Sequence, residues 1–410
     1  MTTVPLHLFE GYGIELEYMI VDRDSLAVRP LTDRVLQQVA GKIVNEVEVG
    51  SLCWSNELVL HVLELKTNGP AQSLAGLADQ FQNGVWQVGE QLVPLGGRLL
   101  GTAMHPWMDP HRETKLWPHE NSPIYAAYDK IFGCQGHGWS NLQSMHINLP
   151  FADDGEFGRL HAAIRLVLPL LPALAASSPI VDGRATGLLD NRLEFYRNNQ
   201  KKIPEIAGQV IPEPVFSQAD YQREILAASY RAIARHDPQG VLQEEWLNSR
   251  GAIARFERQA IEIRLLDIQE CPQADLAIAA LVVALVRALC EERWEALRQL
   301  REIPVAPLAE LFRRTLRGGP AEPIVHSAYL ACFGVLEQPT SVAGLWRRLY
   351  EQLEPAIPAE YRAPLEVILQ RGPLARRILD ALPAGFNRPC LAETYRRLAD
   401  CLLQGEMFHG

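Results

Sequence analysis

Apolar and polar positions alternate in short runs along the first 150 residues. Residues 14–22, 58–65 and 144–150 carry that period-two pattern or a β-branched composition and predict strands. Residues 73–92 and 157–176 repeat apolar positions at three- and four-residue spacing, which predicts helices. Residues 177–214 are irregular, polar and rich in Gly, Asn, Arg and Pro, as a long active-site loop would be. Beyond them, 221–236 predicts a helix, 260–267 a strand and 274–302 one long helix. From about residue 305 short helical patterns at 307–317, 342–353, 364–370, 373–382 and 391–404 are separated by Pro and Gly. The sum is an α+β class: a mixed catalytic part over 1–303 and a helical C-terminal region over 304–410 packed on it.

The apolar runs at 166–176 and 276–286 fall short of the ~20 residues that cross a bilayer, so they predict buried helices and no membrane span. The 410-residue chain is 48% apolar, enough for a sizeable core. A net charge of −10 argues against the basic surface that nucleic acid requires. The seven cysteines are scattered and form no Cys-x-x-Cys, which predicts reduced thiols and a cytoplasmic location. Residues 1–10 lack the basic start and apolar stretch of a signal peptide. Phosphate-loop, dinucleotide-turn, zincin and nucleophile-elbow motifs are absent, and the glycine-rich stretch 133–138 predicts a turn.

Three predicted strands carry polar pairs spaced two apart: Glu15 and Glu17, His146 and Asn148, Glu262 and Arg264. Residues i and i+2 share a strand face, so each pair sits opposite an apolar face. Any half-exposed strand alternates in this way. What changes the reading is the company. Like charges side by side in Glu-x-Glu favour a cation nearby, and magnesium prefers carboxylate oxygens. Glu-x-Arg adds a second acid and a phosphate-binding fork. Glu64 lies inside an apolar run, where an unpaired charge is costly. Glu57 precedes it by an odd interval, so either the chain bends between them or the segment is helical.

Taken in order, these segments resemble the glutamate–cysteine ligase superfamily, including its bacterial carboxylate–amine ligase branch. The matching stretches are Gly13-Ile-Glu-Leu-Glu-Tyr, residues 57–67, Met145-His-Ile-Asn, Ala176-Ser-Ser-Pro and Ile261-Glu-Ile-Arg-Leu-Leu-Asp267. The resemblance implies a glutamine-synthetase-like fold with a curved antiparallel sheet, and a bend between Glu57 and Glu64. It implies that Glu15, Glu17, Glu57, Glu64, His146 and Glu262 hold magnesium or manganese around ATP. Arg264 would bind the transferred phosphate, with Glu64 beside it in the catalytic set. Asn148, Arg192, Tyr196 and Arg197 would meet the substrate, although the stretch 190–202 departs from the family pattern.

The implied reaction joins a carboxylate, glutamate by analogy, to cysteine or another amine through an acyl phosphate. Residues 177–214 would form the lid that excludes water. A small-molecule kinase on the same fold would need no amine. A non-catalytic metabolite-binding protein would have no reason to keep six acidic or imidazole ligands. A homo-oligomer is compatible with the sequence.

Overall fold

The computed structural model describes residues 5–336 and 339–410. The first four residues of the 1–10 stretch therefore lie outside the described residues. The strands, in chain order, are β1 (Gly13–Asp22), β2 (Glu46–Val49), β3 (Leu52–Asn56), β4 (Val62–Thr67), β5 (Gly97–Leu100) and β6 (Ser144–Pro150). A two-residue hairpin, β7 (Ile180–Val181) and β8 (Arg184–Ala185), stands apart; β9 (Ala252–Arg255) and β10 (Ala260–Asp267) follow. The main sheet runs β2-β3-β4-β1-β6-β10-β9, with β5 paired to the end of β1. Its pairings are all antiparallel.

The even positions of β1, from Ile14 to Ile20, are fully buried against helices Leu77–Leu92, Asp154–Val167 and Pro272–Cys290. The last of these is long and apolar enough to cross a membrane, but 89% of its apolar window is buried inside the protein, as expected of a core helix. The odd positions of β1 face the other way, and Glu15 and Glu17 sit among them. Farther along the same face, Met19 and Val21 enter a second core built with the helices Leu374–Ala381 and Arg388–Gln404.

Several predicted boundaries move for local reasons. The strand expected over 58–65 begins only at Val62, as β4; residues 57–61 form the connection from β3, an antiparallel partner that the sequence pattern does not mark. The helix expected over 73–92 begins at Leu77, since Gly76 adopts a left-handed φ of 77° and closes off the preceding turn, and an earlier helix, Thr32–Ala40, is one the pattern does not predict. The helix expected over 157–176 starts at Asp154, capped by Asp153, and ends at Val167, where Pro169 and Pro172 interrupt the hydrogen-bond ladder. The single helix expected over 274–302 is broken between Cys290 and Leu297, with Glu292 at a φ of 56°. The region 177–214 is less irregular than its composition suggests, because it contains helix Asn191–Tyr196, capped by Asp190. The seven cysteines are free thiols.

Candidate active site

Strand register gathers the acids. Glu15 lies opposite His146 on β6 and opposite Lys66 on β4, while Glu17 lies opposite Glu64. Asn148 stands opposite Glu262 on β10. Glu57 continues the site-facing parity of Cys53 and Ser55 past the end of β3, so the reversal of the chain brings it to the same side as Glu64. The bend reading is therefore the correct one for that odd interval.

The spacing of Glu262, Arg264 and Asp267 is also odd. A register shift between Ile263 and Leu266 inserts one extra residue into β10. Side-chain parity reverses there, so Asp267 joins the face that Glu262 and Arg264 already occupy. Asp267 then receives the Nε of Arg192 at 2.5 Å, the backbone N–H of Ser177 at 2.8 Å and the hydroxyl of Ser178 at 2.9 Å. The strand thereby ties down the segment carrying residues 177–192.

Hydrogen bonds order the carboxylates. His146 donates from Nδ1 to Glu15 at 2.9 Å, and its Nε2 meets the hydroxyl of Ser144 at 3.0 Å. Ser144 donates to Glu17 from both its backbone N–H, at 2.7 Å, and its hydroxyl, at 2.9 Å. Asn148 donates to Glu15 at 3.1 Å. Ser55 donates to Glu64 at 2.5 Å, and the Lys66 ammonium lies 3.2 Å from the same carboxylate. Arg264 donates to Glu262 at 2.5 Å, and Arg255 approaches the other oxygen of Glu262 at 3.5 Å.

These contacts separate the acids electrostatically. Burial works against the charge on Glu15, but the hydrogen bond and charge of His146 outweigh it and hold the carboxyl at about 2. Burial and the charge of Glu15 push Glu64 up to about 7. Glu57 is pushed well above the usual carboxylate range by burial and by Glu17 and Glu64. Burial alone would lower His146; the bond to Glu15 and the charges of Glu17 and Glu262 instead raise it to about 9.

Glu15, His146 and Glu262 offer ligand atoms within 4.8 Å of one another, and Glu17, Glu64 and His146 do the same. Two clusters sharing one imidazole, otherwise all carboxylate, suit a hard divalent cation such as magnesium or manganese. Burial first, and then repulsion among the acids, raises Glu57 and Glu64, and the repulsion is what such a cation relieves. The donor set therefore fits the metal that the sequence implies.

A cavity of about 370 Å³ unites Glu15, Glu17, Glu57, Glu64, His146, Glu262 and Arg264 with Arg192 and Tyr196. Asn148 is on the same face but opens onto a neighbouring cavity of about 710 Å³, which shares Glu15, Lys66 and Arg258 with the first. Arg197 departs from the sequence expectation. It lies outside the lining of both cavities, at the C-terminal cap of helix Asn191–Tyr196, and pairs back with Glu194 of that helix at 2.6 Å. Arg192 reaches the cavity, but its guanidinium is buried against Asp267 and the carbonyl of Arg264. Lys66, Ser55, Ser144 and Arg255 were not singled out from the sequence. Ser55, Ser144 and Lys66 sit at i±2 from another site residue, a signal that was available.

The sequence profile of glutamate–cysteine ligase family 2 matches residues 12–397. The chain belongs to that family. An uncharacterized protein of Archaeoglobus fulgidus is 40% identical over 309 residues, 75% of this chain and 80% of that protein. A protein of Ruegeria pomeroyi with the provisional name glutamate–cysteine ligase 2 is 27% identical over 70% of this chain and 67% of its own length. A similarly named Nocardioides protein is 27% identical over 77% of each chain. The bifunctional glutathione synthetase of Pasteurella multocida shares the fold, with a TM-score of 0.56 at 16% identity; the match covers 96% of this chain and 53% of that one, so this family member spans about half of the larger protein. The family is one of ligases, and the α+β class expected from the sequence is the one found.

Proposed function

We propose that this family member is an ATP- and magnesium-dependent carboxylate–amine ligase that forms an amide of γ-glutamyl type, with glutamate as the acid and cysteine or another amine as its partner. The observation that carries the reading is the pair of carboxylate–imidazole clusters on one sheet face, with Arg264 beside them and a cavity in front. Magnesium or manganese, held by Glu15, Glu17, Glu64, His146 and Glu262 with Glu57 at the rim, would supply Lewis acidity and charge neutralisation at the ATP phosphates.

The substrate carboxylate attacks the γ-phosphorus, a P–O bond forms, and ADP leaves with the electron pair of the broken bond. Arg264 is placed to donate two N–H groups to the transferred phosphoryl group, charge that develops in the transition state. The amine nitrogen then attacks the acyl carbon, the C–N bond forms, phosphate departs with its electrons, and the amine proton passes to solvent. Residues 177–202, tied to the sheet by Arg192 and Asp267, wall the cavity against water, which would hydrolyse the acyl phosphate.

The test is product analysis with purified protein, ATP, magnesium and glutamate. ADP and an amide of the expected mass should appear together, stop with EDTA and return with excess magnesium. ADP formed with a phosphorylated acid or guanidine as the final product would make the protein a kinase. Nucleotide binding without ADP would leave a binding protein.

A further inference from the structure

The helical C-terminal region carries a pocket that the ligase reading does not use. It measures about 290 Å³ and shares no lining residue with the two cavities at the acids. Leu174 and Trp346, both almost fully buried, belong to its apolar lining together with Ala173 and Ala343. Three exposed arginines also line it, each from a different helix: Arg347 from Val342–Leu353, Arg371 from Ala359–Arg371 and Arg376 from Leu374–Ala381. Two local features gather them. Gly372, at a φ of 85°, turns the chain so tightly that a Cβ there would lie 3.3 Å from the Cβ of Arg376, so Arg371 and Arg376 flank one close turn. Arg347 reaches across to the carbonyl of Leu369, 3.4 Å from its Nη2, in the last turn before Arg371.

Charge sets this pocket apart. Other arginines of the same region are matched with acids: Arg314 with Glu322, Arg362 with Glu354 and Arg396 with Glu393. Among the described residues, Arg347, Arg371 and Arg376 pair with no carboxylate, and no Asp or Glu lines the pocket. Three like charges therefore converge without a counter-ion in a chain whose net charge is −10. We propose that the pocket binds a phosphate monoester with a small apolar body. Guanidinium forks arriving from three helices suit a phosphoryl dianion, whose oxygens accept from several directions at once. The apolar lining takes the body of the ester, in a space at the small end of the range for ligand cavities.

The test is calorimetric titration of the full chain with phenyl phosphate, inorganic phosphate and benzylmalonate, in EDTA and without nucleotide, at about pH 8, where a phosphate monoester is a dianion. Phenyl phosphate should bind at least ten-fold more tightly than inorganic phosphate, which lacks the apolar body. It should exceed benzylmalonate, which has a ring and two carboxylates, by as much. Replacing Arg371 and Arg376 together by Gln should weaken phenyl phosphate at least ten-fold and leave the melting temperature of the free protein unchanged. Ala343→Leu, which narrows the pocket without altering charge, should weaken phenyl phosphate and spare inorganic phosphate. Arg258→Gln, in the cavities at the acids, should change neither. Phenyl phosphate that binds no more tightly than the other two, or as tightly after either pocket replacement, overturns the inference. So does binding lost with Arg258→Gln, since the anion would then sit at the ligase site. No metal, nucleotide or turnover enters the measurement, so its outcome is separate from whether an amide forms.

Discussion

Glu15 and Glu64 face the same cavity and should respond in opposite ways to loss of charge. Glu15 is held ionised by His146 and Asn148. Glu15→Gln leaves a cationic imidazole without its partner and should lower the stability of the metal-free protein by about 1–3 kcal/mol in a urea titration. Glu64 is pushed toward neutrality by burial and by Glu15. Glu64→Gln keeps a group that can accept the Ser55 hydroxyl and should leave the metal-free melting temperature unchanged or higher. Both variants should bind manganese at least ten-fold more weakly by calorimetry. Equal stability losses in the two would show that His146 does not distinguish them. In the sequence the acids look alike, since period-two spacing reports only which face a residue shares. The partners that separate them come from other strands, and register is set by long-range pairing that no local pattern contains.

On the scale of the strand, the glycine that opens β1 has a steric reason. A Cβ at Gly13 would fall 2.9 Å from the Cβ of Asn148 on the facing strand. Gly13→Ala should therefore displace Asn148 from Glu15 and reduce turnover several-fold while leaving far-UV circular dichroism unchanged. A fully active variant would mean that Asn148 can move without consequence. Strands β6 and β10 were legible to the residue because each has one polar and one apolar face. The hairpin of β3 and β4 was not, since β3 is buried throughout and offers no alternation at its boundary. The bulge in β10 was equally hidden: one inserted residue leaves no compositional trace, though the odd interval from Glu262 to Asp267 is its consequence. Helices failed at their ends, where Gly76, Asp153 and Pro169 act locally against a periodicity that continues past them.

At the scale of the molecule, the helical C-terminal stretch is bound to the rest through buried polar contacts as well as through core. Arg377 pairs with Glu270, both almost fully buried, and also donates to the carbonyl of Phe408 at 2.6 Å. Trp346 donates to the carbonyl of Leu170 and Tyr361 to that of Leu74. Arg377→Ala strands a buried carboxylate and should cost about 3–5 kcal/mol. Calorimetry of the native protein should show one cooperative transition; two resolved transitions would make the C-terminal stretch an independent unit.

Acid should act on the same scale. Burial lowers His61 and His105 to about 4, and each neutral ring donates from Nε2 to a carbonyl, that of Ser140 or of Leu26. Their folded values lie below the unfolded value of about 6.5, so the unfolded chain takes up protons first. Stability should be full above about pH 6.5 and fall as the pH drops toward 4, by about 3 kcal/mol for each histidine. Denaturant titrations from pH 7.5 to 4 will show this slope, and a flat profile would mean that the rings find water before the fold opens.

The contact between Phe408 and Glu270 also bears on how the protein is made. The backbone N–H of Phe408 donates to the Glu270 carboxylate at 3.2 Å, across 138 positions of sequence. Glu270 follows closely on β10, which carries Glu262 and Arg264 and leaves the ribosome long before residue 408 does. During that interval the nascent chain holds a carboxylate whose covering residues have not yet been synthesised. Final closure around the second core, to which β1 contributes Met19 and Val21, therefore waits until residue 408 has been synthesised.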